Sequence, residues 1–103
     1  MEYVLYEVRN FSTNTIRVLE IRKWVEKFRW VVFDEKGLAD FKRKIQSMVI
    51  NVNANNPDKP PIDYESASCE KSDMIRVSEG RGREFVIILH LLKGKYVVEK
   101  ENK

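Results

Sequence analysis

The apolar positions of the first third of the chain follow the short-range patterns that are typical of β-strands. Residues 3–8 are rich in aromatic and β-branched side chains, which suit a pleated surface. Residues 16–25 and 28–33 predict two more strands, connected by a hairpin at Glu26-Lys27. The apolar positions of residues 16–25 change parity midway, and a bulge near Leu19-Glu20 would restore one buried face.

A helix is predicted after these strands. Asp34 is a residue type that caps helix N-termini, and Glu35 follows it at the positive end of the helix dipole. The next apolar residues recur at the spacing of one helical face: Leu38, Phe41, Ile45 and Met48. Residues 51–63 contain all three prolines and predict a linker, because proline disrupts a helix interior.

The second half of the chain predicts more strands. A weak strand begins near Tyr64, a stronger one covers residues 74–79, and the strongest covers residues 84–92. Gly80 and Gly82 lie in the turn between the last two, where they can supply the positive φ that a tight hairpin requires.

The strongest predicted strand also bears on assembly. Its residues 85–92, FVIILHLL, are apolar on both parities, so both of its faces should be covered. A central strand under the helix and a subunit interface both satisfy this requirement, and we expect a homodimer. His90 within the run is expected to be a core or interface histidine rather than a catalytic one.

Two short segments of the chain match each other. Residues 16–20, IRVLE, and residues 75–79, IRVSE, are identical at four of five positions. Gene duplication and chance similarity explain the match equally well.

The predicted architecture is one α+β domain with a curved antiparallel sheet and one main helix. Its parts are a first half-repeat at residues 1–50, the linker at 51–63 and a shortened second half-repeat at 64–103, within a single domain of residues 1–103.

The order of these elements resembles a repeat of the Pur family, the purine-rich-element binders. The resemblance rests on a strand, a turn with asparagine, the Ile-Arg-Val-x-Glu segment, another strand and the Glu-Lys-x-Leu-x-x-Phe-Lys motif of residues 35–42. It is best over residues 3–48 and recurs at residues 74–79, MIRVSE. Residues 11–14, FSTN, stand where the family has an Asn-Arg-Gly-Arg turn.

This resemblance implies a fold and a function. Pur repeats consist of a four-stranded antiparallel sheet followed by a helix, and two repeats interlock into one domain that binds single-stranded DNA and RNA. Whirly-type single-strand binders are relatives. By resemblance, Arg9-Asn10 corresponds to the basic-x-Asn motif that contacts nucleic acid in the family, with the spacer missing. By composition alone, Asn10 and Asn14 are turn formers.

Composition narrows the function classes. The 103 residues include 19 Lys+Arg, 16 Asp+Glu, one His and one Cys, and 43% are hydrophobic. A single His and the single Cys69 nearly exclude histidine-based catalysis and thiolate metal sites. Asp34, Glu35 and Asp40 lack the spacing of a paired acid and base, so a small hydrolase is a distant third hypothesis. We therefore expect no enzymatic activity, no metal and no cofactor.

No segment resembles a membrane span or a secretory signal. The longest nearly apolar run, residues 85–92, is far shorter than the roughly 20 residues that a spanning helix needs. Residues 1–10 contain no basic stretch before an apolar core. The sequence predicts an intracellular protein of the cytoplasm or nucleus that is not secreted and has no membrane partner.

The strongest candidate binding segment is residues 22–30, RKWVEKFRW. Single-strand binders combine cations that hold phosphates with flat rings on which bases stack. The net charge of +3 belongs to residues 1–50, which carry 10 Lys+Arg against 7 Asp+Glu. In this interpretation Trp24, and less clearly Trp30, stack on bases, and four residues hold phosphates: Arg22, Lys23, Lys27 and Arg29. The alternatives are a solvated basic face and, for Trp30, a position in the core.

Two further pairs of basic residues are candidates. Arg17 and Arg76 hold the same place in the matching segments, where they would present equivalent guanidinium groups on one sheet face. Alternatively, they form ion pairs with Glu20, Glu79 or a neighbour. The turn at residues 80–82 adds two cations that would contact phosphate or only solubilise the hairpin: Arg81 and Arg83.

These residues together favour the binding of single-stranded DNA or RNA through a basic, aromatic sheet face and the predicted hairpin at residues 22–30. The alternative is a protein-interaction or oligomerisation module of the same fold, in which the apolar strand and the tryptophans form the contact. Retention of a mixed single-stranded pool on a filter at low salt distinguishes the two hypotheses, because only the first predicts it.

Overall fold

A five-stranded antiparallel sheet organises the structure, a computed structural model that describes residues 1–10, 15–80 and 83–92. The strands lie in the order β2-β1-β5-β4-β3. In chain order the elements are β1 (Glu2–Asn10), α1 (Ile16–Glu26), β2 (Val32–Asp34), α2 (Glu35–Asn55), β3 (Asp63–Ser68), β4 (Ser72–Ser78) and β5 (Glu84–Leu92). The predicted α+β class with a curved antiparallel sheet is confirmed; the sheet is open, and it carries two helices where one main helix was expected.

Helix α2 begins where the sequence predicts its cap. The Asp34 carboxylate accepts a hydrogen bond from the Gly37 backbone N–H at 2.7 Å, as an N-cap should. A Cβ at position 37 would lie 3.1 Å from the Asp34 Oδ1 atom, so a glycine permits this close approach. The four residues of the predicted helical face belong to the core or pack against it.

The linker predicted at residues 51–63 is wrong at its start, because α2 has 21 residues and continues to Asn55. Val49 is buried and Val52 packs against the core, so the apolar face of the helix extends past Met48. The Asn53 side chain then forms hydrogen bonds with the segment that leads from α2 to β3. It accepts from the Ile62 N–H at 2.7 Å and donates to the Ile62 carbonyl oxygen at 3.0 Å.

The strands predicted at residues 16–25 and 28–33 are wrong, because helix α1 occupies the first segment and only three residues of β2 form near the second. Val18, Ile21 and Val25 are buried, and their spacing of three and four is that of a helical face. Their β-branched side chains favour strands locally, but packing against α2 and β1 outweighs that preference. The predicted bulge near Leu19 lies inside this helix.

The strands predicted at residues 3–8, 74–79 and 84–92 are confirmed as β1, β4 and β5. β5 is the third of the five strands, so the expectation of a central strand holds. β1 lies beside it along most of its length, from Glu2 opposite Leu92 to Asn10 opposite Phe85.

The two matching segments adopt different structures. Residues 16–20 form the start of α1, whereas residues 75–78 lie in β4 and Glu79 follows directly. The described chain runs strand, helix, strand, helix and then three strands. The sequence match therefore does not correspond to two equivalent structural units, and residues 16–20 are not the strand that the Pur resemblance implies.

Both helices pack on one face of the sheet and share one core with it. The fully buried residues of the sheet in this core are Leu5, Ile75, Val77, Phe85, Ile87 and Leu89. Successive side chains of a strand point to opposite faces, so their neighbours face away from the helices. We call this second side the open face; its members are Val4, Glu7, Arg9, Val32, Met74, Arg76, Val86, Ile88 and His90. Within the described ranges, neither helix is long and apolar enough to cross a membrane.

Candidate binding surface on the open face

A β-bulge in β1 places an extra aromatic residue on the open face. The register shifts between Leu5, which lies opposite Leu89, and Glu7, which lies opposite Ile88. Tyr6 is the residue without an opposite partner, and its side chain is 43% exposed. A bulge changes the direction of the side chain of its extra residue, and here the Tyr6 ring comes to lie over His90 of β5.

Three aromatic rings meet at this bulge and are called the aromatic patch: Tyr6, Trp30 and His90. The Tyr6 ring stacks on the His90 ring, with centroids 4.3 Å apart and planes inclined by 21°. Trp30 meets Tyr6 edge to face, with centroids 5.5 Å apart. Trp30 is 62% exposed, so one ring of the cluster stands largely in solvent.

The backbone of Trp30 holds this ring in place at a conformational cost. Its φ is 72°, and it is the one non-glycine residue with positive φ in the described ranges. Its N–H donates to the Leu5 carbonyl oxygen at 2.8 Å, and the Leu5 N–H donates to the Val31 carbonyl oxygen at 3.1 Å. These bonds extend the pairing of β2 with β1 and secure the turn after α1.

Apolar residues surround the aromatic patch. Val32, Val4 and His90 lie side by side across β2, β1 and β5, and Ile88 lies beside Met74 in the next row. Val32 is 38% and Met74 39% exposed. The expectation that β5 is covered on both faces is thus met on the helix side, while its other face has no covering element within the described chain.

The cations of the open face are all paired with acids. Arg9 donates to both Glu7 carboxylate oxygens, at 2.9 and 3.2 Å. Arg76 lies between two carboxylates, with its Nε atom 2.8 Å from Glu84 and its Nη1 atom 3.5 Å from Glu65. The open face is therefore rich in charge but close to neutral.

Glu7 carries the acidic charge beside the aromatic patch. The hydrogen bond from Arg9 is the main cause that lowers the pKa of the Glu7 carboxyl below its ordinary 4.5. Desolvation opposes this shift, while the positive charges of Arg9, Arg29 and His90 act with it. Arg29 is therefore near enough to Glu7 to act on its charge, while Arg9 contacts it directly.

The burial of the two tryptophans is the reverse of the prediction. Trp24 is half-buried in α1 and stacks on Phe41, with centroids 5.6 Å apart, and it packs on Phe28 at 4.7 Å. Its ring therefore belongs to the edge of the core and is not presented for base stacking. Trp30, predicted as the more buried of the two, is the one in solvent.

The four predicted phosphate-binding residues of the 22–30 segment lie on a helix and its exit, not on a hairpin. Lys23 and Lys27 are exposed and Arg22 is half-buried. Arg29 alone is close enough to affect Glu7 at the aromatic patch, and it pairs with Glu26 at 2.8 Å. The segment thus does not form one continuous basic and aromatic surface.

The arginines at equivalent sequence positions do not share a face. Arg17 is 9% exposed and forms an ion pair with Glu79, while Arg76 lies on the open face. The ion-pair alternative is therefore confirmed for both. Arg9 and Asn10 are exposed at the end of β1 and Arg83 is exposed before β5, but Arg81 lies outside the described residues, as does Asn14.

Tyr6 is the residue of this surface that the sequence interpretation missed. The signal was present, because the buried positions of β1 change parity between Leu5 and Val8. A parity change within one strand is the pattern that a bulge leaves. In residues 16–25 a similar change of parity arises from helix α1 instead.

The described residues contain no cluster of three or more His, Cys, Asp or Glu side chains that could hold a metal ion. Asp34 is used as the helix cap and Asp40 pairs with Arg43 at 2.6 Å. Cys69 is an exposed free thiol.

No protein-family model, curated protein or solved structure matches this chain.

Proposed function

We propose that this chain binds single-stranded DNA or RNA through the aromatic patch on its open face. The observation that carries the proposal is Trp30, a tryptophan held in solvent by a strained backbone beside two further rings. Exposed rings on a sheet are suited to stacking on bases, because every base has a flat π-face. Each stacked base contributes about 1–3 kcal/mol.

The charges predict the strength of this binding and its dependence on salt. Arg9 pairs with Glu7 beside the patch and Arg29 directly precedes Trp30, but each must leave a carboxylate partner to bind a phosphate. Two phosphate contacts on a single strand give a slope of only about −1.4 in a plot of log K against log salt. We therefore expect weak binding that depends more on stacking than on charge, with no cofactor involved.

The test is binding to a mixed-sequence single-stranded pool, with DNA and RNA in separate arms. Trp30→Ala should weaken binding by about fivefold to a hundredfold, which corresponds to the loss of one stacked base. Trp30→Phe should retain part of the affinity. Ile50→Ala is the matched control, because Ile50 is 66% exposed on α2 and lies away from the open face. Equal binding by all four proteins would overturn the proposal.

A second candidate function is a protein-interaction or oligomerisation module. The observation that favours it is the continuity of Val32, Val4 and Ile88 with the patch, on a face whose cations are already paired. The partner would be a second copy of the chain, with two open faces packed sheet to sheet. Sedimentation of Met74→Glu against the unmodified protein tests this. Concentration-dependent dimers that the substitution abolishes, without retention of nucleic acid, would favour the module over the first proposal.

A further inference from the structure

We propose that the outer edge of β3 is a self-association surface, on which the β3 strand of a second copy of this chain pairs antiparallel. β3 is the last strand in the sheet order, and among the described strands it pairs only with β4. A strand at the edge of a sheet leaves a row of backbone N–H and C=O groups that another strand can use. This edge is distinct from the aromatic patch, so the inference does not depend on nucleic-acid binding.

The hydrogen bonds at the end of β4 indicate which side each of its residues faces. Successive residues of a strand exchange hydrogen bonds with the neighbours on opposite sides. The Leu91 N–H donates to the Lys71 carbonyl oxygen at 2.9 Å, and the Cys69 N–H donates to the Ser72 carbonyl oxygen at 2.8 Å. Lys71 therefore faces β5 and Ser72 faces β3. The alternation continues along β4, because its registers with both neighbours are continuous.

This alternation leaves three residues of β3 with backbone groups that point outward: Tyr64, Ser66 and Ser68. Their opposite residues in β4 are odd-numbered, as Lys71 is, and therefore bond to β5. Apart from the strand pairing, no backbone–backbone hydrogen bond within residues 1–10, 15–80 and 83–92 involves these three residues. The outer edge thus offers a row of alternating donors and acceptors.

The row of backbone groups is complementary to a second copy of itself. When Ser66 lies opposite Ser66 of the second copy, Tyr64 lies opposite Ser68 of the second copy. Every outward-pointing residue then faces an outward-pointing residue, and all donors and acceptors of the row are used. The arrangement has a two-fold axis perpendicular to the sheet, so the same surface of both copies forms the contact.

The charges of β3 favour this register over its neighbours. Glu65 lies opposite Ala67 of the second copy, and Asp63 lies opposite Cys69 of the second copy. A pairing centred on Glu65 would place two exposed carboxylates directly opposite each other, which is destabilising. A pairing centred on Ala67 would leave Tyr64 without an opposite residue in the strand.

β3 lacks the features that protect edge strands from such pairing. Edge strands are commonly protected by lysine, proline or a bulge. β3 contains neither residue type, and its register with β4 runs through six residues without a shift. Residues 65–68 are exposed, and three of them have small side chains. β2, at the other edge, has only three residues and leads directly into α2, so it offers a shorter row.

The resulting dimer has one continuous sheet, with five strands from each copy. Both open faces lie on the same side of this sheet and stay accessible. Packing of two open faces sheet to sheet would instead hide them, so the two kinds of dimer respond to different substitutions.

Sedimentation of the full chain from micromolar to millimolar concentration measures the association. Ser66→Pro removes an outward N–H that β4 does not use, and should raise the dissociation constant of the dimer roughly tenfold or more. Ser66→Ala keeps this N–H and should associate as the unmodified protein does. Met74→Glu, on the open face, should also leave the association unchanged.

A pair of charge variants tests the register. Ala67→Lys should strengthen the dimer roughly threefold or more, because the lysine lies opposite Glu65 of the second copy at two symmetric places. Ala67→Glu should weaken it by a similar factor, because two carboxylates then lie opposite each other. Equal association of these two variants would exclude the register.

Amide hydrogen exchange tests the edge in the unmodified protein. The amides of Tyr64, Ser66 and Ser68 should exchange rapidly in dilute solution and more slowly at high concentration. The amides of Glu65 and Ala67, which bond to β4, should be protected at both concentrations. A monomer at every concentration would overturn the proposal, as would a dimer that Met74→Glu abolishes and Ser66→Pro does not.

Discussion

Trp30 donates its backbone N–H to the Leu5 carbonyl oxygen at 2.8 Å while its own φ is 72°. A left-handed conformation costs a residue with a Cβ about 1–2 kcal/mol. The side chain is 62% exposed and meets Tyr6 by an edge contact. Backbone strain of this kind accumulates at functional sites, which agrees with a role for this ring in binding.

At position 30, the usual order of stability of an alanine and a glycine variant should be reversed. Trp30→Gly is expected to be more stable than Trp30→Ala by about 1 kcal/mol, because only glycine adopts positive φ without strain. Urea unfolding measures the difference. At Ala39, an exposed position of α2, Ala39→Gly should instead cost about 1 kcal/mol. An alanine variant at position 30 as stable as the glycine variant would contradict the left-handed backbone.

Helix α1 predicts unequal roles for two isoleucines. Ile21 is 1% exposed and Ile16 is 74% exposed, whereas the predicted strand with its bulge near Leu19-Glu20 would place both on one buried face. Ile21→Ala should lower the free energy of unfolding by about 2–5 kcal/mol, through lost burial and a cavity. Ile16→Ala should change it by less than about 0.5 kcal/mol. Similar losses at both positions would argue against the helical face.

The Arg17–Glu79 pair should be important for stability. Its side chains are 9% and 5% exposed, so Glu79→Gln leaves a buried guanidinium without its counter-charge. Removal of one partner of a buried pair costs about 3–5 kcal/mol. Asp40→Asn removes one partner of the exposed pair with Arg43 and should cost less than about 1 kcal/mol. Thermal or urea unfolding compares the two, and equal losses would refute the buried pair.

The Glu7 carboxyl should titrate below its ordinary range. Because its pKa is lowered in the folded protein, its contribution to stability is present above the unfolded value of 4.5 and is lost as the pH falls through the folded value. Arg9→Ala should raise the pKa of Glu7 toward 4.5, since it removes the main cause of the shift. Carboxyl-carbon NMR titration measures this, with Arg43→Ala as the control that leaves Glu7 unchanged.

Glu7→Gln should strengthen the binding of single-stranded nucleic acid. The substitution removes a negative charge beside the patch and releases Arg9 from its carboxylate partner. We expect a gain of roughly twofold to fivefold at low salt, and a steeper dependence on salt because one more phosphate contact becomes available. A self-associating surface predicts no such gain. Unchanged affinity and slope would show that phosphates do not approach Glu7.

Local chemistry explains which elements could be predicted. Asp34 and the apolar spacing after it define α2, and short runs rich in β-branched, aromatic and other apolar residues define β1, β4 and β5. Helix α1 could not be recognised from residue preferences, because its buried face consists of Val18, Ile21 and Val25, which favour strands. Its stability comes from packing that the sequence does not display.

The candidate surface was less predictable than the fold. Trp24 and Trp30 occur in similar local sequence, and only the turn after α1 decides which ring is covered by Phe41 and which is exposed. Tyr6 joins the patch because of a bulge opposite β5, a partner more than eighty residues away in the chain. Such surfaces depend on the register between distant strands, which short-range patterns do not specify.

The pairing of β1 with β5 also affects how the chain folds during its synthesis. β1 emerges from the ribosome before the other strands of the described sheet, but its neighbour on one side is β5, the last of these strands. Contacts with such a long sequence separation form slowly, because a large loop must close before they contribute. During synthesis, β1 and the apolar faces of both helices are therefore exposed before β5 is available to cover them, which favours aggregation of the incomplete chain.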